Sequence, residues 1–162
     1  MIASMLRKRA LRLMAGVVTV GLVSVVTACA QGESMSPQES RDKLVTLIND
    51  TAALISSEGW DETGAPIGSC SSGSGEGVNA SWGLAREPMA DHLGDAQKVA
   101  DFWKSKGLDV QLQTEPTIVV FAGGAGINAV SFSTEPGLYM IDGSSLCVPG
   151  APDDISNEDP GE

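Results

Sequence analysis

The chain contains little of the chemistry from which active sites and metal centres are usually built. Its 162 residues include one histidine, His92, and three cysteines, and only 4% are aromatic. His92 has the carboxylates of Asp91 and Asp95 near it in sequence, but the chain has no Gly-x-Ser-x-Gly nucleophile motif. We therefore predict no catalytic residue, no metal site and no cofactor, and we interpret His92 as a solvated residue in the first turn of a helix.

Basic residues are also scarce, and they are concentrated near one end. The chain has 10 Lys and Arg against 21 Asp and Glu, a formal charge of -11. Four of the basic residues, Arg7, Lys8, Arg9 and Arg12, precede the first acidic one, so the remaining chain has six against 21, or a formal charge of -15. Because phosphate binding depends on a basic patch, we expect no nucleic-acid partner.

A long uncharged stretch follows these basic residues. Leu13 to Ala30 carries no charge, and a basic start before an apolar run is typical of a secretory signal peptide. The run closes on Val26-Thr27-Ala28-Cys29, which resembles the bacterial lipobox. We therefore predict a signal peptide over 1–28, and a mature N-terminus at Cys29 whose acyl chains enter the lipid bilayer. An uncleaved transmembrane anchor is the alternative, because Leu13 to Ala30 is 18 residues long and a membrane span needs roughly 17 to 25 apolar residues.

Two cysteines are left once Cys29 is lipidated. An exported compartment permits Cys70 and Cys147 to form a disulfide bond. A redox-active role is the alternative, but no Cys-x-x-Cys motif or basic neighbour favours it. The bond would close a loop of 77 residues and stabilise the fold by about 4.5 kcal/mol in the chain-entropy model.

The chain after the signal peptide has the length of one domain. We predict a lipid-anchored linker over 29–35 and a single domain over 36–148. Residues 149–162 carry five acidic residues and three prolines and have no core-forming run, so we predict an acidic disordered tail there.

Two helices are predicted. The first begins at the capping box Ser36-Pro37-Gln38-Glu39 and ends before Gly59, and the second begins at Asp91 and ends at Gly107. Their predicted apolar stripes are Leu44, Leu47, Ile48, Thr51, Leu54 and Ile55 in the first helix, and Leu93, Ala96, Val99, Ala100 and Trp103 in the second.

The predicted fold class is α+β, in the order α-β-α-β-β-β. Alternating apolar residues predict one strand over Val78–Leu84, which we expect to pack against the second helix, and Gly59–Gly77 is predicted to be an irregular loop pinned by the disulfide. A meander follows the second helix, over Leu108–Gln113, either ending there or continuing through Thr117–Ala122, then Ile127–Ser133 and Leu138–Asp142. This pattern indicates an antiparallel sheet of about four strands with both helices on one face.

Several motifs accompany the lipobox. They are the turn Trp60-Asp61-x-x-Gly64-x-Pro66, Cys70, the helix end Ala100-x-Phe102-Trp103-x-x-x-Gly107-Leu108, and Gly143-Ser144-Ser145-x-Cys147. Together they resemble small, uncharacterised cell-envelope lipoproteins of high-GC Gram-positive bacteria (actinobacteria). The resemblance implies an envelope location, and it carries over no catalytic residue.

We expect a membrane-anchored extracytoplasmic lipoprotein with a non-catalytic binding or structural role. Its partner would be an envelope protein, a glycan or a small ligand, bound at the helix-free sheet face or at the Gly59–Gly77 loop. Trp60 is the candidate ligand contact, because a tryptophan near a loop can anchor a partner; packing against the first helix is the alternative. An envelope hydrolase is the alternative function, and a cleft joining His92 to a serine and a carboxylate would favour it.

Overall fold

Two α-helices, seven strands and one short 3-10 helix (Pro152–Asp154) lie in the part of the chain that the structure describes. The structure is a computed structural model that describes residues 35–73, 75–135 and 137–156. The predicted signal peptide and Cys29 lie outside the described residues. The elements are α1 (Pro37–Ile55), β1 (Asp61–Gly64), β2 (Ile67–Ser72), β3 (Gly75–Arg86), α2 (His92–Ser105), β4 (Asp109–Gln113), β5 (Val119–Gly124), β6 (Ile127–Glu135) and β7 (Leu138–Ser145).

The strands form one antiparallel sheet. Its order is β1-β3-β7-β6-β5-β4, and β2 pairs with the first half of β3 where β1 pairs with the second half. The strands β4 to β7 form the predicted meander, and α2 connects β3 to the far edge of the sheet. The α+β class, the antiparallel sheet and the two helices are confirmed. The predicted number of about four strands is wrong, because β4 and β5 are separate and two further strands lie in the predicted loop.

These two further strands, β1 and β2, occupy the segment that was predicted to be irregular. Neither strand has alternating apolar residues, and every residue of β1 is exposed. They form because the long strand β3 offers a free edge: Ile67–Ser72 pairs residue by residue with Gly75–Ala80. Backbone hydrogen bonds to β3 therefore define these strands, with an apolar contribution from Ile67, which packs on the cluster of Val78, Ala80 and Ile155.

Helix α1 begins at the predicted capping box. The Ser36 hydroxyl accepts the Glu39 N–H at 3.2 Å, and the Ser36 N–H donates to the Glu39 carboxylate at 2.8 Å. The Ser36 backbone N–H and, secondarily, the Ser36 hydroxyl favour the ionised carboxylate and lower the pKa of Glu39. Leu44, Leu47 and Ile48 are buried as predicted, whereas Leu54 is 42% exposed.

A glycine lets α1 approach the sheet closely. Gly143 lies on β7 under this helix, and a Cβ atom there would stand 2.9 Å from Leu44 Cδ1 and 2.8 Å from the carbonyl oxygen of Ala129. Both distances are shorter than a carbon atom tolerates. The absent side chain therefore sets the distance between α1 and the sheet.

Helix α2 buries four of its five predicted stripe residues and departs from the prediction in its first turn. Its first stripe residue, Leu93, is 52% exposed, whereas Asp95 is buried. Asp95 accepts hydrogen bonds from the Tyr139 hydroxyl at 3.2 Å and from Lys98 at 3.0 Å. These bonds satisfy the buried carboxylate and determine the rotation of the first turn. The rest of the stripe is buried as predicted, namely Ala96, Val99, Ala100 and Trp103.

The two helices cover different strands on the same sheet face. Helix α1 packs over β3 and β7, and α2 packs over β4, β5 and β6. The predicted packing of the β3 apolar row against α2 is therefore wrong, because the sheet is wider than expected and α1 occupies that place. Trp82 and Leu84 enter the main core, while Val78 and Ala80 form a small cluster with Ile155.

The domain extends beyond the predicted boundary at residue 148. Cys70 and Cys147 form the predicted disulfide, with a Cα–Cα distance of 5.9 Å. Val148 then pairs with Val78 through two backbone hydrogen bonds of 2.9 and 3.1 Å, and Ile155 is buried. The predicted disordered tail is wrong for residues 149–156, because one apolar side chain anchors a segment that composition alone marks as unfolded. Residues 157–162 lie outside the described residues.

Candidate functional site

A groove of about 570 Å³ crosses the helix-free face of the sheet. Strand alternation produces this face: on β7, Tyr139 and Ile141 point into the core, whereas Asp142 and Ser144 point the other way. The turn between β1 and β2 borders the groove. Most side chains that line the groove are small, and they include Ser81, Gly83, Ala129, Ser131 and Ser144.

Asp142 is the one charged side chain among the described residues that line the groove. Its cross-strand neighbours are Gly83 on β3 and Ser131 on β6. The Ser131 hydroxyl donates to Asp142 Oδ1 at 2.6 Å. The other oxygen, Oδ2, accepts no hydrogen bond from the described part of the chain. One oxygen is thus held in place, and the other is free to accept a hydrogen bond from a ligand.

Two further residues give the groove its shape. Thr63 reaches over β3 from the β1 strand, and only a glycine at position 83 leaves room for it, because a Cβ atom there would collide with the Thr63 hydroxyl. Phe121 lies opposite Ser131 on β5 and is 45% exposed. The groove therefore has a polar centre at Asp142 and an aromatic side at Phe121.

The polar groups of the groove favour a ligand that donates hydrogen bonds. They are the Asp142 carboxylate and the hydroxyls of Thr63, Ser81, Ser131 and Ser144; Asn128 donates to the Ser144 hydroxyl at 2.9 Å. No lysine or arginine is present among the described lining residues. The one histidine of the chain, His92, does not line the groove, so the described lining residues contain no Ser-His pair.

His92 lies on the opposite, helix-bearing face of the sheet. Its Nδ1 is 3.0 Å from the Thr134 carbonyl oxygen, and its ring packs edge-on against Tyr139 at 5.2 Å. Neither neighbouring carboxylate is bonded to it, because Asp91 caps α2 at Gly94 and Asp95 bonds Tyr139 and Lys98. The predicted solvated histidine is wrong, since His92 is half-buried. Within the described residues it forms no cleft with a serine and a carboxylate.

Tyr139 connects these groups inside the core. It is fully buried, and its hydroxyl donates to Asp95. Burial and, secondarily, the nearby Asp95 carboxylate raise the pKa of Tyr139 to about 12. Asp95 in turn raises the pKa of Lys98 by accepting its hydrogen bond. This polar cluster is a structural feature that no sequence motif indicated.

Trp60, the candidate ligand contact, packs at the end of α1. Its indole N–H donates to the carbonyl oxygens of Ala52 at 3.2 Å and Ser56 at 3.0 Å, and the Arg86 guanidinium stands 5.4 Å from its ring. The residue is half-buried and contacts the main core. It does not line the groove. The geometry thus agrees with the alternative of packing against the first helix, and a ligand contact at Trp60 stays a prediction.

Arg41 is a buried charge that sequence reasoning missed. Its guanidinium lies 5.1 Å from the Trp82 ring and 3.3 Å from Asp42. Its Nη2 and the Trp82 Nε1 find no hydrogen-bond partner among the described residues. The signal available in the sequence was spacing, because position 41 precedes Leu44 by three residues and falls on the buried stripe of α1.

Two smaller cavities and the acidic residues are weaker candidates for a binding site than the groove. One cavity of about 310 Å³ lies beside α1 and is lined by Lys43, Asp50 and Lys106, and another of about 310 Å³ lies beside the disulfide. Across residues 35–156, where described, no group of three or more His, Cys, Asp or Glu side chains could hold a metal ion. In the same residues no helix is long and apolar enough to cross a membrane.

No protein-family model matches the sequence, and no curated protein matches it. The fold is similar to the crystal structure of a DUF4853 family protein from the actinobacterium Actinomyces odontolyticus, with a TM-score of 0.56. The two chains are 16% identical, and the likeness covers 73% of this chain and 71% of that one. That structure comes from an actinobacterium, and the motifs of this chain resemble lipoproteins of the same bacterial group. At this identity the likeness shows the fold alone.

Proposed function

We propose that this protein is a lipoprotein, anchored through Cys29 on the extracytoplasmic face of the cell membrane, and that it binds a ligand there without catalysing a reaction. The anchoring is supported by the lipobox Val26-Thr27-Ala28-Cys29 and by the basic and apolar segments before it. The Cys70–Cys147 disulfide is in keeping with an exported domain, since such bonds persist in oxidising compartments.

The binding role is carried by one observation, the groove on the helix-free sheet face. Its volume of about 570 Å³ lies within the range typical of ligand sites, roughly 300 to 1,000 Å³. It combines an exposed aromatic ring, Phe121, with a few convergent polar groups around Asp142. Such a combination suits recognition, because the ring supplies contact area and the polar groups orient the ligand.

The anchoring is tested by the mass of the mature N-terminus. We expect Cys29 to be the first residue and to carry acyl chains in protein extracted from membranes. Cys29→Ala should leave the precursor uncleaved or release the domain, whereas the neighbouring change Gln31→Ala should have neither effect. An unmodified Cys29 in the membrane fraction would contradict the proposal.

The binding role is tested by photo-crosslinking in intact cells. A photoreactive phenylalanine analogue at position 121 should capture the ligand from the groove. The matched control places the same analogue at position 54, because Leu54 has a similar exposure but lies on α1, on the other side of the sheet. We expect an adduct at position 121 that is absent at position 54. Equal adducts at both positions, or none at either, would count against the groove as the binding surface.

A further inference from the structure

We propose that the groove recognises an alkylammonium group, with the cation on Asp142 and its apolar stem on Phe121. This inference rests on the proposed binding role of the groove and names the class of ligand. It is carried by the placement of one partly engaged carboxylate and one exposed ring on the same row of the sheet.

The charge of the groove favours a cationic ligand. Asp142 is the one charged residue among the described residues lining the groove, so an anionic ligand would meet a like charge and find no basic partner. The chain that follows the predicted signal peptide has a formal charge of -15, with six basic residues against 21 acidic ones. A field of this sign raises the local concentration of cations and lowers that of anions.

The hydrogen-bond acceptors of the groove match the donors of an ammonium group. An ammonium group has three donors and no acceptor. The groove offers the free Oδ2 of Asp142, while Ser131 holds the other carboxylate oxygen in place at 2.6 Å. The hydroxyls of Ser81 and Ser144 face each other across β3 and β7 on the same sheet face and can accept the remaining donors. The acceptors are thus arranged before a cation arrives, which reduces the entropy cost of binding it.

The distance between Phe121 and Asp142 sets the length of the ligand's stem. Phe121 and Asp142 lie on strands β5 and β7, which flank β6, and Ser131 is the cross-strand neighbour of both. Because neighbouring strands lie about 4.8 Å apart, their backbones stand roughly 10 Å from each other. A ligand that reaches both needs a cation at one end and a stem of several carbons, as in a free alkylamine or a peptide lysine.

The test compares three probes that share a six-carbon stem and differ in the head group: hexylamine, hexanol and hexanoate. Isotope-labelled full-length protein in a neutral detergent is titrated with each probe, and amide chemical shifts are recorded. We expect hexylamine to shift amides of residues 81–83, 129–131 and 142–144 and to bind about tenfold more tightly than hexanol, since a hydrogen bond to a charged group contributes about 1.5 kcal/mol or more. Hexanoate should not bind. The peptide Gly-Lys-Gly, run in parallel, distinguishes a peptide lysine from a free amine.

Variants test whether Asp142 and Phe121 are responsible for the binding of hexylamine. Asp142→Asn should reduce hexylamine binding to the level of hexanol, and Phe121→Ala should weaken both probes. The matched control Asp101→Asn removes an exposed carboxylate on α2 and should change neither. Should Asp142→Asn fail to fold, Ser81→Lys provides a second variant, because a cation placed in the groove should repel hexylamine and spare hexanol.

The outcomes separate this inference from the binding role itself. Equal binding of hexylamine and hexanol, or a preference that survives Asp142→Asn, overturns the alkylammonium inference and leaves the groove a binding site. Absence of shifts with every probe also overturns it. In that case the crosslinking comparison of positions 121 and 54 decides the binding role independently.

Discussion

Tyr139 is the only tyrosine of the chain, so its ionisation can be read directly from phenolate absorbance. Because burial raises its pKa from 10.0 to about 12, the folded state keeps the proton at a pH where the unfolded state loses it. Stability should therefore be unaffected below pH 10 and should fall as the pH rises from 10 to 12, by at most about 1.4 kcal/mol per pH unit. We expect an absorbance midpoint near 12 in the folded protein and near 10 in urea.

The control for this prediction is Tyr139→Phe, which keeps the ring and lacks the hydroxyl. It should lose stability less steeply between pH 10 and 12 than the parent protein. Circular dichroism at each pH verifies that the chain is folded. A midpoint near 10 in a chain that is still folded would mean that Tyr139 is accessible to water.

A solvated His92 would contribute almost nothing to stability, but the structure packs its ring on Tyr139, and it buries Trp103 completely. Trp103 is fully buried and donates to the Thr51 hydroxyl at 2.8 Å, so Trp103→Ala should cost about 3 to 5 kcal/mol. His92→Ala should cost about 1 kcal/mol instead of nearly nothing, because it removes the ring packed on Tyr139. Leu93→Ala is the surface control and should stay within about 0.5 kcal/mol. Denaturant melts measure all three, and a larger loss at Leu93 than at Trp103 would mean that α2 is rotated differently.

At the scale of elements, the contact of α1 with the sheet depends on Gly143. A methyl group there would press against Leu44 and the Ala129 carbonyl, so Gly143→Ala should cost about 1 to 3 kcal/mol as overpacking does. Gly68→Ala is the matched control, because the added carbon would meet only Asn79 at an ordinary 3.8 Å. Thermal melts of both variants test this. Equal stabilities would show that α1 can shift away from the sheet without loss.

The elements that sequence reasoning missed lack a local pattern that reveals them. The capping box of α1 and the strands β5, β6 and β7 depend on residues adjacent in the chain, and the sequence pattern predicted them, whereas the separation of β4 from β5 was missed. The strand β1 depends on the edge of β3, which lies far along the chain, and β2 forms a local hairpin with β3 but has no apolar alternation that marks it as a strand. The rotation of α2 likewise depends on the bond between Asp95 and Tyr139, which are 44 residues apart.

At the scale of the whole molecule, the C-terminal segment belongs to the domain. Ending the chain after Val148 removes Ile155, which packs on Val78 and Ala80. Burying an isoleucine contributes about 1.5 to 3 kcal/mol, so this truncation should lower the free energy of unfolding by a similar amount. Ending the chain after Ser156 should change it little, because Ile155 stays in place. Urea melts of both forms check this prediction, and equal stabilities would restore the boundary expected at residue 148.

For the candidate site too, local sequence patterns predicted some features, and others depend on contacts between distant residues. Composition and alternation predicted one open sheet face, and they favoured binding over catalysis, which stays a prediction. They did not single out Asp142, Ser131 or Phe121, because a lone carboxylate, a serine and a phenylalanine in three strands carry no motif. Trp60 was singled out instead, since tryptophans are common anchors, and its indole N–H bonds the end of α1.

The sequence by itself determined the features that depend on neighbours along the chain: the start of α1, the turns of the meander, the acidic charge and the two cysteines available to pair. Only the tertiary structure decided the width of the sheet, the rotation of α2, the anchoring of Ile155 and the groove around Asp142. The physical reason is that each of these needs groups far apart in sequence to meet. The groove is the clearest case, because its lining comes from β3, β5, β6, β7 and the β1–β2 turn, and no single segment contains it.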